Sequence, residues 1–484
     1  MKCRPILTVL LCLLLAKPIQ AAELQTVRGH VPAAVRNLLP VGELAASNQI
    51  NLAIGLPLRN REALTNLLQR LYDPASADFH QFLTPHQFAT QFGPSDEDYQ
   101  SVIAYAKAHG LTVEGTHSNR TLVDVAGKVE DIEKTFHVKM RKYKHPREKR
   151  EFYAPDAEPS LDLATPVLHI SGLDNYIVPR PMVVRTSPKE ASLTGARPDF
   201  GSGPFGAYMG NDFRAAYVPG VKLTGTGQSV GLFELDGFFP SDVATYVKAA
   251  GLPSIPIKTV LLDGFDGPPG GGNIEVSLDI AMAMSMAPGL ESVLVYEGIL
   301  PDDVLNRMAT DRLARQLSAS WLYGIDPSTE QIFQQYAAQG QSFFNSAGDF
   351  DAWVDGVDTP ADDPNVTVVG GTTLSTRSAG GVWQSETVWN WDVEYGSNYD
   401  GMGTGGGIST TYPIPNWQLG INMTTNQGSA TMRNLPDVAM IADNVVVYDD
   451  DGSTDTVGGT SIATPLWAGL TALVNEQALA NGQP

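Results

Sequence analysis

Cysteine is nearly absent from this chain of 484 residues, because the two that occur are Cys3 and Cys12. Both lie in a predicted signal peptide over residues 1–21, where a short basic start, an apolar run over residues 6–16 and small residues near the end fit a secretion signal. The apolar run is too short to span a bilayer, and no later stretch is apolar enough. We therefore expect a secreted protein without a membrane anchor, and a processed chain without a disulfide or a thiol nucleophile.

Histidine is missing from the second half of the chain. All eight histidines precede residue 186, and the last is His169. Lysine is scarce in the second half and stands outside any motif there. A general base in that half must therefore be a carboxylate, unless a histidine reaches it from the first half.

Positive charge is also rare in the second half. Residues 1–185 hold 21 Lys and Arg against 19 Asp and Glu, a net charge of +2. The remaining residues hold 32 − 21 = 11 basic and 53 − 19 = 34 acidic side chains, a net charge of −23. This asymmetry predicts two units with different roles. It excludes nucleic acid as a partner of the second half, which would repel phosphate.

The first half has the pattern of an α+β domain over residues 25–180. Apolar spacing predicts helices at 60–72, 95–109 and 129–136 and strands at 111–113 and 121–125. The basic stretch 139–150 is interpreted either as a solvated hairpin or as a patch that docks on the acidic second half. Residues 181–205 are rich in Pro, Gly and Ser, which predicts a linker open to proteolysis.

The second half, from about residue 206 to 484, alternates apolar strands with helices. Strands are predicted at 229–234, 259–262, 292–296, 317–321 and 342–345, and helices at 241–250, 274–287, 301–312, 329–339 and 465–476. Continuous apolar strands between helices indicate an α/β fold with a parallel sheet that is buried on both faces.

A candidate nucleophile is Ser461, in the phrase GGTSIATPLWAG between a strand and an apolar helix. A helix N-terminus there would favour a developing negative charge. The alternative interpretation is a simple helix N-cap.

Three carboxylates are candidate partners for this serine. Glu275 and Asp279 are four residues apart at the start of an apolar helix, so they share one face and are expected to share a proton. Asp349 follows an apolar strand, at the carboxyl edge where α/β enzymes place their sites. The alternatives are helix-capping acids for the pair and a turn aspartate for Asp349.

Several phrases of the chain together resemble the sedolisins, a subtilisin-like family of serine-carboxyl peptidases. GNIEVSLDIAMAMSMAP is similar to the family's Glu-x-x-x-Asp helix, SAGD to its oxyanion turn and GGTSIATPLWAG to its nucleophile motif. Residues 25–180, including FHQFLTPHQFATQFG, resemble the family's ferredoxin-like propeptide. The resemblance implies a subtilisin-like catalytic domain over residues 206–484 and activation by cleavage in the linker 181–205.

The family's roles then carry over to matching positions. Ser461 would be the nucleophile, Glu275 its general base, Asp279 the residue that orients Glu275, and protonated Asp349 a donor to the oxyanion. A carboxyl base and a neutral Asp both imply action at acid pH. The resemblance thus implies an acid-acting serine endopeptidase made as a zymogen, a monomer whose partners are protein or peptide substrates and its own propeptide.

Two departures from the family pattern concern the oxyanion turn and calcium. The family has Gly two residues after the oxyanion aspartate, whereas this chain has Asp351, which we expect to reshape that turn or a nearby subsite. Family members carry a calcium site near the C-terminus, but its ligands are not found before Pro484. We interpret the chain as a fragment or as a member without this stabilising element, and Asp449–Asp451 as a hairpin turn.

Two other functions compete with this interpretation. A subtilisin-type peptidase would need a histidine, which the second half does not contain. A catalytically impaired scaffold that acts as a binding module would not need all four chemical residues to be present, yet all four are.

Overall fold

A computed structural model describes residues 24–186, 201–354, 357, 360–395 and 401–483. The predicted signal peptide therefore lies outside the described residues, as do residues 187–200 of the predicted linker. The described chain forms two units in contact, joined by an extended segment at residues 180–186.

The N-terminal unit is an α+β fold with a four-stranded and a three-stranded antiparallel sheet. The larger sheet has the order β4-β5-β3-β9, which is the ferredoxin-like arrangement of a split βαβ fold. The element bounds are β1 Gln25–Thr26, β2 Gly42–Glu43, β3 Gln49–Gly55, α1 Arg61–Leu71, α2 Pro85–Gln91, α3 Asp96–Ala108, β4 Thr112–Thr116, β5 Leu122–Lys128, α4 Val129–Phe136, β6 Met140–Lys144, β7 Glu151–Pro155, β8 Ser160–Leu161 and β9 His169–Ser171.

Local sequence explains where these helices begin. Ser95 precedes α3, and its hydroxyl oxygen accepts a hydrogen bond from the amide of Asp98 at 3.0 Å. Thr84 and Gln87 form a reciprocal capping box before α2. The predicted helices of this half are confirmed to within a residue or two.

The basic stretch 139–150 is a hairpin of the N-terminal unit. Its side chains pair with acids of the same unit, at Lys139–Glu133 (2.6 Å), Arg141–Glu43 (2.5 Å) and Lys142–Glu151 (2.5 Å). These local acids satisfy the positive charge, so the interpretation of this stretch as a patch docked on the second half is wrong for these residues.

The C-terminal unit is an α/β fold around an eight-stranded sheet. The sheet has the order β13-β14-β12-β15-β17-β19-β20, with β23 also paired to β19, and every pair except β19–β20 is parallel. The predicted parallel sheet is confirmed. The bounds are α5 Asp212–Tyr217, β12 Ser229–Glu234, α6 Pro240–Ala249, β13 Ile257–Leu261, α7 Asn273–Met286, β14 Ser292–Glu297, α8 Pro301–Asp311, β15 Gln316–Ala319, β16 Trp321–Leu322, α9 Pro327–Gln339, β17 Ser342–Ser346, β18 Phe350–Ala352, β19 Thr367–Thr376, β20 Trp383–Val388, α10 Trp391–Tyr395, β21 Gly403–Pro413, β22 Met432–Leu435, β23 Val438–Ile441, β24 Val445–Asp449, β25 Ser453–Gly458 and α11 Thr460–Ala480.

Helix α7 is buried along its whole length, which matches its apolar sequence on all sides. It packs against α11 and α6, so two acids in its first turns have no access to bulk water. Helices α8 and α9 contact each other and carry the N-terminal unit.

Buried amide groups join the two units. Asn119 Nδ2 donates to Asn306 Oδ1 at 2.6 Å and to Gln335 Oε1 at 2.8 Å, and the amide of Leu58 donates to Gln331 Oε1 at 2.7 Å. These bonds fix the ferredoxin-like sheet on α8 and α9 without relying on exposed charge.

In the part of the chain that the structure describes, no helix has the length and apolar character needed to cross a membrane.

Candidate active site

Ser461 lies in the first turn of α11, one residue after Thr460 opens the helix. Strand β25 ends at Gly458 and Gly459 follows with φ 140°, so the chain turns sharply from strand to helix as predicted. The helix begins five residues earlier than expected and contains Pro465. Proline has no N–H for the Ser461 carbonyl four residues before it, and the Ser320 hydroxyl lies 3.4 Å from that carbonyl oxygen.

Glu275 lies in the first turn of α7 and is fully buried. Its Oε2 accepts a hydrogen bond from the amide of Met182 at 2.7 Å. Burial raises the pKa of Glu275 well above its usual value, and the nearby Asp279 adds to the rise, whereas the Ser461 hydroxyl and the Met182 amide oppose it. Oε1 has no hydrogen-bond partner among the described residues. The Ser461 hydroxyl also lies 3.5 Å from the carbonyl oxygen of Ser320.

Asp279 stands one turn further along α7 and connects Glu275 to a third buried acid, Glu234. Its Oδ1 accepts a hydrogen bond from the Ser320 hydroxyl at 2.8 Å. Burial raises the pKa of Asp279 well above its usual value, with Glu234 as the second cause. Burial likewise raises the pKa of Glu234, whose Oε2 accepts a hydrogen bond from Trp321 Nε1 at 2.8 Å. Three adjacent carboxyl groups without water cannot all ionise, so protons are shared along the row.

Glu234 and Trp321 were missed in the sequence. Glu234 ends the apolar strand VGLFE, and an acid at the carboxyl edge of a buried parallel strand is the signal that could have identified it. Trp321 is the last residue of the strand predicted at 317–321, and no role was assigned to it from the sequence.

Trp321→Phe is expected to lower the free energy of unfolding by about 1–3 kcal/mol, because Glu234 loses its donor in a buried site. The change is measured by urea denaturation of a chain that also carries Ser461→Ala, so that self-cleavage does not interfere. Trp417→Phe is the matched control, since the Trp417 side chain is largely exposed. Equal losses in the two variants would contradict the role of the Trp321–Glu234 bond.

Asp349 lies beside the start of α11. Its Oδ1 accepts hydrogen bonds from the backbone amide and the hydroxyl of Thr460, both at 2.8 Å. No donor in the described parts of the chain reaches Oδ2. Burial raises the pKa of Asp349 to about 7, and the two Thr460 bonds act in the opposite direction. Below that pH the proton belongs on Oδ2, which can then donate a hydrogen bond.

The segment 180–186 crosses the site as an extended strand. Arg180–Pro181 pairs antiparallel with Trp321–Leu322, and Val184–Thr186 pairs antiparallel with Thr456–Gly458. Met182 lies between the two short ladders, and its amide also donates to the carbonyl of Ser320 at 3.2 Å. A segment of the predicted linker therefore occupies the cleft in the manner of a peptide bound between two strands.

The carbonyl oxygen of Met182 and Asp349 Oδ2 approach the same side of Gly459. A Cβ built on Gly459 would lie 2.6 Å from this carbonyl oxygen and 2.7 Å from Asp349 Oδ2, so the two oxygens converge on one small volume. Glycine is required at 459 by this approach and by its positive φ. The Met182 side chain packs on Gly348 beside Trp353, where an added Cβ would lie 3.2 Å from the Met182 Cε and 3.0 Å from the Trp353 ring.

Glu275 and Asp349 thus approach the Met182 residue from its amide and its carbonyl side, with Ser461 beside Glu275 and Asp279 one turn further along α7. A buried carboxylate faces the serine and the amide of Met182, and a neutral carboxyl faces the Met182 carbonyl. Such a set can take a proton from a hydroxyl on one side of a carbonyl and stabilise an oxyanion on the other.

The predicted departure at Asp351 has a local explanation. Asp351 adopts φ 61°, a left-handed conformation that Asp tolerates better than most residues, and Asn390 Nδ2 donates to its Oδ1 at 2.7 Å. The preceding Phe350 lies under the guanidinium of Arg180, 5.2 Å from the ring centroid. The turn therefore has a positive φ at Asp351, and Phe350 contacts Arg180 of the segment in the cleft.

The calcium that the family resemblance implies finds no fitting ligands within the described ranges. The group of three potential ligands found there is His117, Asp124 and Asp303, which includes an imidazole, whereas calcium takes oxygen ligands. Asp449–Asp451 lies at the turn between β24 and β25, as predicted, with φ near +50° at Asp450 and Asp451.

Comparison with known proteins adds an independent line of evidence. A family model described as "Pro-kumamolisin, activation domain" matches residues 37–176. The chain is 30% identical to kumamolisin from Bacillus sp. (strain MN-32), across 94% of this chain and 85% of that protein. It is 28% identical to sedolisin from Pseudomonas sp. (strain 101), across 90% and 78%. It is 24% identical to tripeptidyl-peptidase 1 from Canis lupus familiaris, across 92% and 82%.

A similar solved structure is a Pseudomonas sedolisin (serine-carboxyl proteinase) complexed with two molecules of pseudo-iodotyrostatin. It matches with 28% sequence identity and a TM-score of 0.48, over 56% of this chain and 81% of that chain.

Proposed function

Because the chain belongs to the sedolisin family and is a serine-carboxyl peptidase zymogen, we propose that it is a secreted, acid-acting endopeptidase in which carboxyl groups activate Ser461. The observation that carries this proposal is the peptide strand through the cleft, with the Met182 amide on Glu275 and the Met182 carbonyl beside Asp349.

The reaction proceeds by transfer of an acyl group to the serine. Glu275 takes the proton of the Ser461 hydroxyl as the oxygen attacks the carbonyl carbon of the scissile bond. Asp279 orients Glu275 and shares its proton with the carboxyl row that ends at Glu234. Asp349 donates its Oδ2 proton to the oxyanion as a hydrogen bond. Glu275 then gives its proton to the leaving amine, and water releases the acyl group by the reverse sequence.

Acid action follows from the protonation state of the site. Asp349 can donate only while it is neutral, and its pKa is about 7. A site of this kind loses its oxyanion donor as the pH rises through neutrality.

Cleavage of internal bonds is favoured by the shape of the cleft. The bound segment pairs with Trp321–Leu322 before Met182 and with Thr456–Gly458 after Val183. A chain can therefore continue beyond the site on both sides, which an endopeptidase needs.

Activation would cut the chain's own linker. In the observed register the bond at the site is Met182–Val183, within the predicted linker 181–205. Cutting it would separate a propeptide, residues 25–180 in the predicted division, from a catalytic domain that begins at about residue 206. The predicted signal peptide over residues 1–21 would direct the zymogen out of the cell.

The experiment is acid incubation of the purified full chain followed by N-terminal sequencing of the fragments. We expect a fragment that begins at Val183 at about pH 4, an intact chain at neutral pH, and cleavage of added protein only in the acid sample. First cleavage at another bond would contradict the register. An intact chain at every pH, with no cleavage of added protein, would favour the binding-module interpretation.

A further inference from the structure

Arg185 is the third residue after the Met182–Val183 bond, and three aspartates of one hairpin surround its guanidinium. Nη2 makes a close ion pair with Asp449 Oδ2 and lies 3.1 Å from Asp450 Oδ2, while Nε lies 3.3 Å from Asp455 Oδ2. The acids belong to β24, β25 and the turn between them.

The hairpin holds these acids in a fixed position relative to the catalytic carboxylates. Asn273 opens α7, the helix that carries Glu275. It donates from Nδ2 to Asp450 Oδ1 at 2.9 Å and accepts from the Asp450 amide at 3.1 Å. The aspartate hairpin is therefore hydrogen-bonded to the first residue of α7.

Asp449 is the most buried of the three aspartates, so its negative charge depends most on a nearby cation. Its side chain is fully buried, and its Oδ1 has no hydrogen-bond partner in the described ranges. Arg185 brings a positive charge to this oxygen pair from the linker. A cut at Met182–Val183 frees one end of the segment that carries Arg185, so that the segment can withdraw and a basic residue of another chain can take its place. The other half of the molecule offers little replacement, since residues 186–484 carry a net charge of −23.

The strand register sets which residue of a bound chain reaches the acids. Val184 pairs with Gly458, Arg185 with Val457 and Thr186 with Thr456 in one antiparallel ladder. A substrate strand in this ladder would place the third residue after its cleaved bond where Arg185 now lies. The ladder fixes how far the strand extends along Thr456–Gly458 and which of its side chains point to the same face as Arg185.

We propose that Asp449, Asp450 and Asp455 form a binding subsite for the guanidinium or ammonium group of a substrate residue, three positions after the cleaved bond. The acid-activated enzyme then prefers protein segments with Arg or Lys at that position. This inference rests on the proposed peptidase function and names one part of its substrate class.

The test compares three peptides that copy residues 178–186 and differ only at position 185, with Arg, Ala or Glu there. The acid-activated chain is assayed for kcat/KM at low salt. We expect the Arg peptide to exceed the Ala peptide by roughly three- to tenfold, and the Glu peptide to fall below Ala, because partly exposed charge pairs contribute modestly. The ratio should shrink at about 1 M salt.

Enzyme variants locate the effect. Asp455→Asn, at a partly exposed position, should lower the Arg-to-Ala ratio, and Asp449→Asn should lower it further. Asp451→Asn is the matched control on the same hairpin, since Asp451 accepts a hydrogen bond from the Ser241 hydroxyl at 3.0 Å and makes no described contact with Arg185. It should leave the ratio unchanged.

The outcomes separate the two proposals. Equal kcat/KM for the Arg and Ala peptides, with both cleaved, would overturn the subsite and leave the peptidase function standing. An equal loss of preference in Asp451→Asn and Asp455→Asn would also overturn it. Failure to cleave any peptide would overturn the peptidase function and the subsite together.

Discussion

Ser461→Ala is expected to lower peptide cleavage by about 10⁴- to 10⁶-fold and to leave the full chain uncut in acid. The serine oxygen is the atom that bonds to substrate, and the chain offers no substitute in place: its second half has no cysteine and no histidine. The fold should be little affected, because the Ser461 hydroxyl makes only a long contact of 3.5 Å with the carbonyl of Ser320 besides its interaction with Glu275. The measurement is kcat/KM for a peptide that copies residues 178–186, with gel analysis of the intact zymogen.

The matched control for this prediction is the double variant Ser461→Ala with Glu275→Gln. Residues that act as a unit are not additive, so the double variant should be no slower than Ser461→Ala alone. Glu275→Gln by itself should be severely impaired, since its amide cannot accept the serine proton. Substantial activity in Ser461→Ala, or a further large loss in the double variant, would show that the two groups do not share one step.

Asp349→Asn is expected to move the alkaline limit of activity upward. Burial gives the Asp349 carboxyl a pKa of about 7, so the wild-type enzyme loses its oxyanion donor as the pH rises through that value. The Asn amide stays a donor at every pH, and its oxygen can still accept the two Thr460 bonds that Oδ1 now accepts. The measurement is the pH dependence of kcat/KM from about pH 3 to 9 for the wild type and for Asp349→Asn. The ratio of kcat/KM near pH 8 to its maximum should be higher in the variant.

Asp349→Ala serves as the control for that profile. It removes the donor altogether, so we expect a loss of about 10²- to 10³-fold at every pH. An alkaline limit that is unchanged in Asp349→Asn would mean that the carboxyl row of Glu275, Asp279 and Glu234 sets the limit instead.

Much of the fold could be predicted from local patterns. The apolar strands and capped helices of both units obey short-range rules, and the parallel sheet follows from continuous apolar strands between helices. The acids on α7 were found because two carboxylates on an apolar helix conflict with burial. The absence of histidine from the second half of the chain left these carboxylates as the candidate general bases.

The remainder depended on tertiary contacts that a single sequence does not encode locally. Glu234 and Trp321 lie 87 residues apart, and their bond arises only when two parallel strands become neighbours. The basic stretch 139–150 had two interpretations, and the acids that neutralise it include Glu43, far away in sequence. The register of Met182 in the cleft likewise depends on pairing with strands far along the chain.

The four buried acids at the site also affect how the protein unfolds. Burial raises the pKa values of Glu234, Glu275, Asp279 and Asp349, whereas in an unfolded chain each would titrate near its ordinary value. Between those two ranges these four groups hold more protons in the folded chain, so their contribution to stability is greatest in acid and falls as the pH rises towards and through the folded pKa values. At neutral pH, unfolding of the site therefore releases protons from these groups to the buffer. For these four carboxyl groups, mild alkali weakens the fold at the catalytic centre itself.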